Sequence, residues 1–283
     1  MSDSKVIMYA YEPSSALAGV FAALFSNIAF LHLWQNKKWR TWWFLPFALC
    51  GLIESLGYAG RFISSRQAPD YTTWPYAAQF AIILASPVLL TSSMYLIMAR
   101  IVVATDGEVQ FPIKMKWFTK AFCGGDSSSL GMMGIGGALY TSSSDPTKGL
   151  GAFAKNIVYA GIGHHIIFMI VFMIVTAIFH VRITRNPTVR SSTTNSNWAQ
   201  FLWLFYASCI VLIFRNVLRF IQFMQGADGT LNSKEIYLVA FDSIPVFLIM
   251  AVFSFRHPRL LNSNRGSVLL DEETSGNVYE MNK

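Results

Sequence analysis

Seven apolar runs, each long enough to cross a bilayer, constrain this chain more than any other feature. A helix needs about 20 residues to span the hydrocarbon core. The runs lie at about 14–34, 42–64, 76–103, 117–140, 156–182, 198–223 and 235–255. Only helices and closed barrels satisfy their backbone hydrogen bonds inside lipid, and runs of this length are helical. They predict an all-α membrane protein, a bundle of seven transmembrane helices spanning residues 14–255. Residues 1–13 form a short extracellular lead, and residues 256–283 a polar cytoplasmic tail expected to be disordered. The first run is too long for a signal-peptide core and lacks a basic segment before it, so it reads as a retained helix.

The charge pattern gives the orientation. Lys37, Lys38, Arg40, Lys114, Lys116, Arg182, Arg185 and Arg190 follow runs one, three and five, and Arg256, Arg259 and Arg265 follow run seven. The alternate loops hold only Lys5, Arg66, Lys148, Lys155 and Lys234. Lysine and arginine favour the cytoplasmic side, so the N-terminus is expected outside and the C-terminus inside. The formal charge of +7 therefore reflects topology, and no nucleic-acid partner is expected. Only 13% of the residues are charged, against about 25% in soluble domains. Cys50, Cys123 and Cys209 all fall in apolar runs, with neither a disulfide framework nor zinc-ligand spacing.

Charges at membrane depth are costly, so the few present mark candidate sites. Arg215 and Arg219 stand at i,i+4 in run six, and Glu235 and Asp242 seven apart in run seven. Both spacings keep side chains on one helix face, so a cationic stripe is expected to meet an acidic one. Glu54 and Arg61 are likewise seven apart in I-E-S-L-G-Y-A-G-R. They lie about 10 Å apart along the axis, which favours partners on other helices, and a cluster of Glu54 with Arg215, Arg219 and Asp242 follows. Gln79 lies near the outer end of run three. Pro87 should kink that helix, with Ser86 and Thr91 available to re-satisfy the freed backbone.

Run four is the least apolar. It carries six glycines and a D-S-S-S segment, with Asp126 near the cytoplasmic end as a second polar site. Run five holds His164 and His165, which diverge by about 100° on the helix, so only one can face a shared site. His165 is expected beside the charged cluster in the outer half, and is the candidate axial ligand if haem binds. No metal site and no other cofactor are expected.

The set I-E-S-L-G-Y-A-G-R, Q-F-A-I-I-L-A-S-P with Tyr95, D-S-S-S, G-G-A-L, R-N-V-L-R-F-I-Q-F, Q-G-A-D-G, F-D-S-I-P and His257-Pro258 resembles the fungal RTA-like, lipid-translocating exporter family. The resemblance covers nearly all of residues 15–260. It implies a seven-helix membrane protein linked to sphingoid-base translocation, resistance to amphiphilic toxicants, or porphyrin uptake. Three positions depart from it. Met133 and His165 stand where glutamine is common, and Gln222 where glutamate is frequent, leaving Arg219 more dependent on Asp242 or Glu54.

These readings lead to a plasma-membrane transporter or exporter of an amphiphilic lipid-like molecule. A seven-helix receptor or sensor of such amphiphiles is the alternative, and a haem- or porphyrin-binding or -transporting protein the next. No Walker A sequence is present, so uphill transport would draw on an ion gradient or another source. An intramembrane hydrolase needs about three metal ligands. His180 lies roughly 22 Å along the helix from His165, so the enzyme reading is set aside. Glu54, Arg61, Gln79, His165, Arg215, Arg219 and Asp242 are the candidate substrate-binding residues.

Overall fold

A computed structural model describes residues 9, 11–143, 148–193, 198–225 and 229–261, and all regular structure within them is helical. The expected tail lies outside the described residues from position 262 onward, as do most of the lead and positions 226–228. The long helices are α1 (Ser15–Trp39), α2 (Leu45–Ser65), α3 (Thr73–Ala85), α4 (Val88–Ala104), α5 (Met115–Ser142) and α6 (Gly149–Arg185). A one-turn helix α7 (Val189–Thr193) precedes α8 (Trp198–Gln225) and α9 (Glu235–Phe255).

Among the described residues, six helical segments are long and apolar enough to cross a membrane: α1, Trp42–Ser65, Trp74–Ala104, α6, α8 and α9. The chain is thus an all-α integral membrane bundle. The seventh expected crossing corresponds to α5, whose 28 residues span about 42 Å. Its glycines, serines and Asp126 dilute its apolar character, which keeps it out of that set.

The helices close a ring in chain order. α1 packs on α2, α2 on α3, α3 on α5, α5 on α6, α6 on α8, α8 on α9, and α9 back on α1. α4 runs inside this ring against α2, α5, α6 and α8. Its composition explains that place: V-L-L-T-S-S-M-Y-L-I-M-A-R-I-V-V-A is apolar around most of the helix, broken only by Thr91, Ser92, Ser93 and Arg100. Tyr95 of α4 meets Phe172 of α6 with centroids 4.8 Å apart, and Phe118 and Phe122 of α5 pack around them.

Two irregularities position the polar residues. The third crossing breaks between α3 and α4 at Ser86-Pro87, where proline lacks the N–H a continuous helix needs. α9 opens into a π-turn over Val239–Ser243, ahead of Pro245. Proline cannot donate to the Phe241 carbonyl, and the Ile244 N–H reaches back five residues to Val239 instead. Asp242 and Ser243 sit in that widened turn.

Two boundaries differ from the sequence expectation. α6 begins at Gly149, not near 156, and Lys155 within it sets its ammonium 5.7 Å from the Tyr159 ring. α1 continues to Trp39, carrying Lys37 and Lys38 in its last turn, where they complement the helix dipole.

Candidate functional site

The break at Pro87 is where the buried polar groups meet. Pro87 leaves the Ile83 carbonyl, four residues back, without its helical donor. Arg215 supplies one from α8, its Nη2 donating to Ile83 O at 2.9 Å. Ser86 and Thr91 were expected to fill that role, but they face buried carboxylates. Ser86 Oγ donates to Glu54 Oε1 at 2.5 Å, and Thr91 Oγ1 to Asp126 Oδ2 at 2.5 Å. The same Thr91 hydroxyl lies 2.8 Å from the Val88 carbonyl, so its one hydrogen is shared between the two acceptors. Gly57, one turn beyond Glu54, lets α2 come this close: a Cβ there would lie 2.6 Å from Ile83 Cγ1.

The expected pairing of α8 with α9 is present. Asp242 Oδ1 accepts from Arg219 Nε at 2.9 Å and Oδ2 from Arg219 Nη2 at 2.6 Å. This is the two-pronged fit of guanidinium to carboxylate. Arg215 Nε lies 2.6 Å from Asp242 Oδ1, an ion-pair contact in which the N–H is not aimed at the oxygen. Arg215 Nη1 donates to Asn216 Oδ1 at 3.0 Å, and Arg219 Nη1 to Gln222 Oε1 at 3.2 Å. Gln222, where the related family often has glutamate, thus braces the arginine without adding charge. Tyr58, fully buried on α2, bonds Ser243 across the bundle.

Glu54 was expected inside this ion cluster. It lies beside it, sensing Asp242, Arg215 and Arg219 electrostatically, but no described hydrogen bond joins it to either arginine. The described guanidinium bonds go to Asp242, Asn216, Gln222 and Ile83, and Glu54 receives one hydroxyl. Its second oxygen, Oε2, has no partner among the described residues, although Glu54 is only 1% exposed.

His165 and Asp126 were expected apart, at opposite depths. The structure pairs them: His165 Nδ1 and Asp126 Oδ1 are 3.1 Å apart, both fully enclosed. The longer α6 is the reason. With α5 ending at Ser142 and α6 starting at Gly149, the two residues stand equally far from the connecting turn on packed antiparallel helices. His165 therefore leaves the Arg215–Asp242 cluster and joins the second polar site. His164 points elsewhere, its Nε2 lying 3.1 Å from Ser128 Oγ on the exposed side of α5.

Arg61 and Gln79 belong to a third group, a cap over the α2–α3 end. Arg61 Nη2 donates to Glu235 Oε1 at 2.7 Å and to Tyr11 Oη at 2.8 Å. Glu235 Oε2 accepts the Ser14 N–H at 2.9 Å, which ties α9 to the start of α1. Gln79 bonds Tyr9, whose hydroxyl reaches Ser64 Oγ at 3.0 Å. Burial pushes the Tyr9 phenol up from its ordinary value, so the hydroxyl keeps its proton and holds these contacts. Tyr9 and Tyr11 escaped the sequence reading because a short polar lead shows no periodicity.

A hollow beside the ion cluster is lined by Arg215, Leu218, Arg219, Gln222, Leu231, Tyr237, Leu238, Phe241 and Asp242. Its space of about 20 Å³ suits one water-sized group. A headgroup enters this conformation only if helices move. Among the described residues, no group of three His, Cys, Asp or Glu could hold a metal ion. His165 as packed does not fit haem ligation: at 2% exposure the ring offers no open face to a porphyrin plane.

Residues 47–265 match the model of the family described as RTA1 like protein. Protein RTA1 of Saccharomyces cerevisiae is 28% identical over 215 residues, which cover 76% of this chain and 65% of that relative. Protoporphyrin uptake protein 1 of the same yeast is 25% identical over 288 residues, covering 89% of this chain and 92% of its own length. The probable lipid transporter atnI of Emericella nidulans is 22% identical over 265 residues, covering 89% and 67%. The chain therefore spans just under two thirds of Protein RTA1. No solved structure matches it.

Proposed function

This chain belongs to the RTA1-like family, and from that premise we propose that it is a transporter for an amphiphile with a cationic, amine-type headgroup. The coarse part of this reading, a transporter-type membrane protein, accords with relatives described as a probable lipid transporter and a protoporphyrin uptake protein. The finer part rests on one observation: Glu54 Oε2 is a buried carboxylate oxygen without a partner. A buried acid left half-satisfied is costly, whereas an ammonium group satisfies it with charge and hydrogen bonds together. The arginines favour the same choice of ligand. Both already face Asp242, whose charge opposes a second anion beside them.

In this reading the apolar chain stays in lipid while the headgroup enters between α2 and α3 toward Glu54. Arg215, Arg219 and Asp242 hold the floor of the site, and Arg61, Gln79 and Glu235 close its far end. The bundle crosses the plasma membrane seven times, α5 included, with the cap outside and the basic loops in the cytosol. No cofactor and no catalytic step of its own enter the scheme.

The test is transfer of a long-chain amine across liposomes holding the purified full-length protein. Wild type should move the amine, and Glu54→Gln should slow it more than tenfold while the protein remains folded. An unchanged rate in the folded variant removes Glu54 from the site. Binding without any transfer favours a sensor over a transporter.

A further inference from the structure

We propose that the Asp126–His165 pair is a proton-binding site whose occupancy opposes that of Glu54, so that the amine is exchanged against a proton. The inference rests on the transporter reading above and supplies its energy source.

The geometry of the pair leaves one atom open. Each Asp126 oxygen has a described partner, with Oδ1 on His165 Nδ1 at 3.1 Å and Oδ2 on Thr91 Oγ1 at 2.5 Å. A carboxylate on Nδ1 orients the ring and fixes its tautomer. The other nitrogen, Nε2, is buried and has no partner among the described residues. An unpartnered imidazole nitrogen takes a proton, a metal ion or a hydrogen-bond donor. The described residues bring no further ligands for a metal. The proton is the ligand that needs nothing more.

Cys123 on α5, Tyr95 on α4 and Cys209 on α8 are the titratable groups near Asp126. Arg215 on α8 is committed to Ile83, Asn216 and Asp242. His164 is turned to Ser128.

Coupling runs through the joint in the third crossing. Glu54 holds Ser86 on one side of Pro87, and Asp126 holds Thr91 on the other. An ammonium on Glu54 and a proton on His165 Nε2 each add positive charge to a water-poor interior, where like charges repel strongly. Pro87 lets the two halves of the crossing shift against each other as one charge replaces the other. In the exchange the Nε2–H bond breaks as the amine arrives, the proton passes to water, and the bond re-forms when the amine leaves. Nothing is oxidised or reduced.

The experiment is titration calorimetry of hexadecylamine into the full-length protein in nanodiscs, with empty discs subtracted, in two buffers of different ionisation enthalpy. Wild type should release a proton for each amine bound. His165→Gln should bind the amine and release none, whereas His164→Gln should behave as wild type. Asp126→Asn, which keeps an oxygen for Nδ1 but loses the charge, should also bind without release, and it serves if the histidine variant does not fold. Amine binding by wild type with no proton exchanged overturns the inference and leaves the transporter reading standing. Release that persists in His165→Gln overturns it too. A wild type that binds no amine brings down both.

Discussion

Asp242 and Glu54 are acids of the same buried neighbourhood, and the fold uses them in opposite ways. Asp242 meets two arginines from α8 and has both oxygens engaged. Glu54 holds one serine hydroxyl and keeps one oxygen bare. Both are enclosed, so burial alone does not explain the difference. What does is where the guanidinium bonds are aimed, at Asp242 in the π-turn of α9 and at the Ile83 carbonyl freed by Pro87. A charged group tied on every side behaves as scaffold. One left with an open bond, on an otherwise satisfied floor, is where a ligand gains most.

The contrast should be sharpest in stability. Asp242→Asn strands two buried arginines and should cost about 3–5 kcal/mol, the usual range for breaking one side of a buried pair. Arg219→Gln together with Asp242→Asn should recover part of that loss. Glu54→Gln should change stability little, because the bond from Ser86 survives. Thermal unfolding of the purified variants in nanodiscs measures all three. Additive losses in the double variant, or a Glu54→Gln loss as large as that of Asp242→Asn, would erase the distinction.

The cap supplies an intermediate case. Arg61 and Glu235 are paired but sit near the bundle end, with side chains 6% and 11% exposed. Glu235→Gln should cost about 2 kcal/mol, as expected for hydrogen bonds to a charged group. It should also loosen the lead, and faster proteolysis near Tyr11 reads that directly. Protection as complete as in wild type would show that the Tyr11 and Tyr9 contacts hold the cap unaided.

The smallest effect is expected at the opposite end. His257, like Glu54, is buried with open atoms, since neither ring nitrogen has a partner among the described residues. Burial first, then His32 and Arg259, hold its imidazole down from 6.5 to about 3. Between these values the unfolded chain binds a proton that the folded chain does not, so stability falls as pH drops from 6.5 toward 3 and is flat above. His257→Gln should flatten a small part of that acid slope in thermal unfolding followed across the same range. An unchanged slope would mean that His257 does not share the isolation of Glu54.

Much of this was legible in the chain itself. Six apolar segments follow directly from run length, because lipid leaves the backbone no other way to satisfy its hydrogen bonds. The Arg215–Arg219–Asp242 association followed from the i,i+4 spacing and the rarity of charge at that depth. The break followed from Pro87, whose lost N–H is a local fact. What the chain could not disclose is register between helices. The seven-residue separation of Glu54 and Arg61 put both on one face of α2, yet Arg61 found Glu235 while Glu54 found Ser86, because partners depend on how far each neighbouring helix slides. Asp126 and His165 seemed distant until the start of α6 at Gly149 brought them level. Spacing along one helix is a property of the sequence, fixed by 3.6 residues per turn. Which oxygen is satisfied and which is left bare is decided by packing, where a shift of one turn changes every partner.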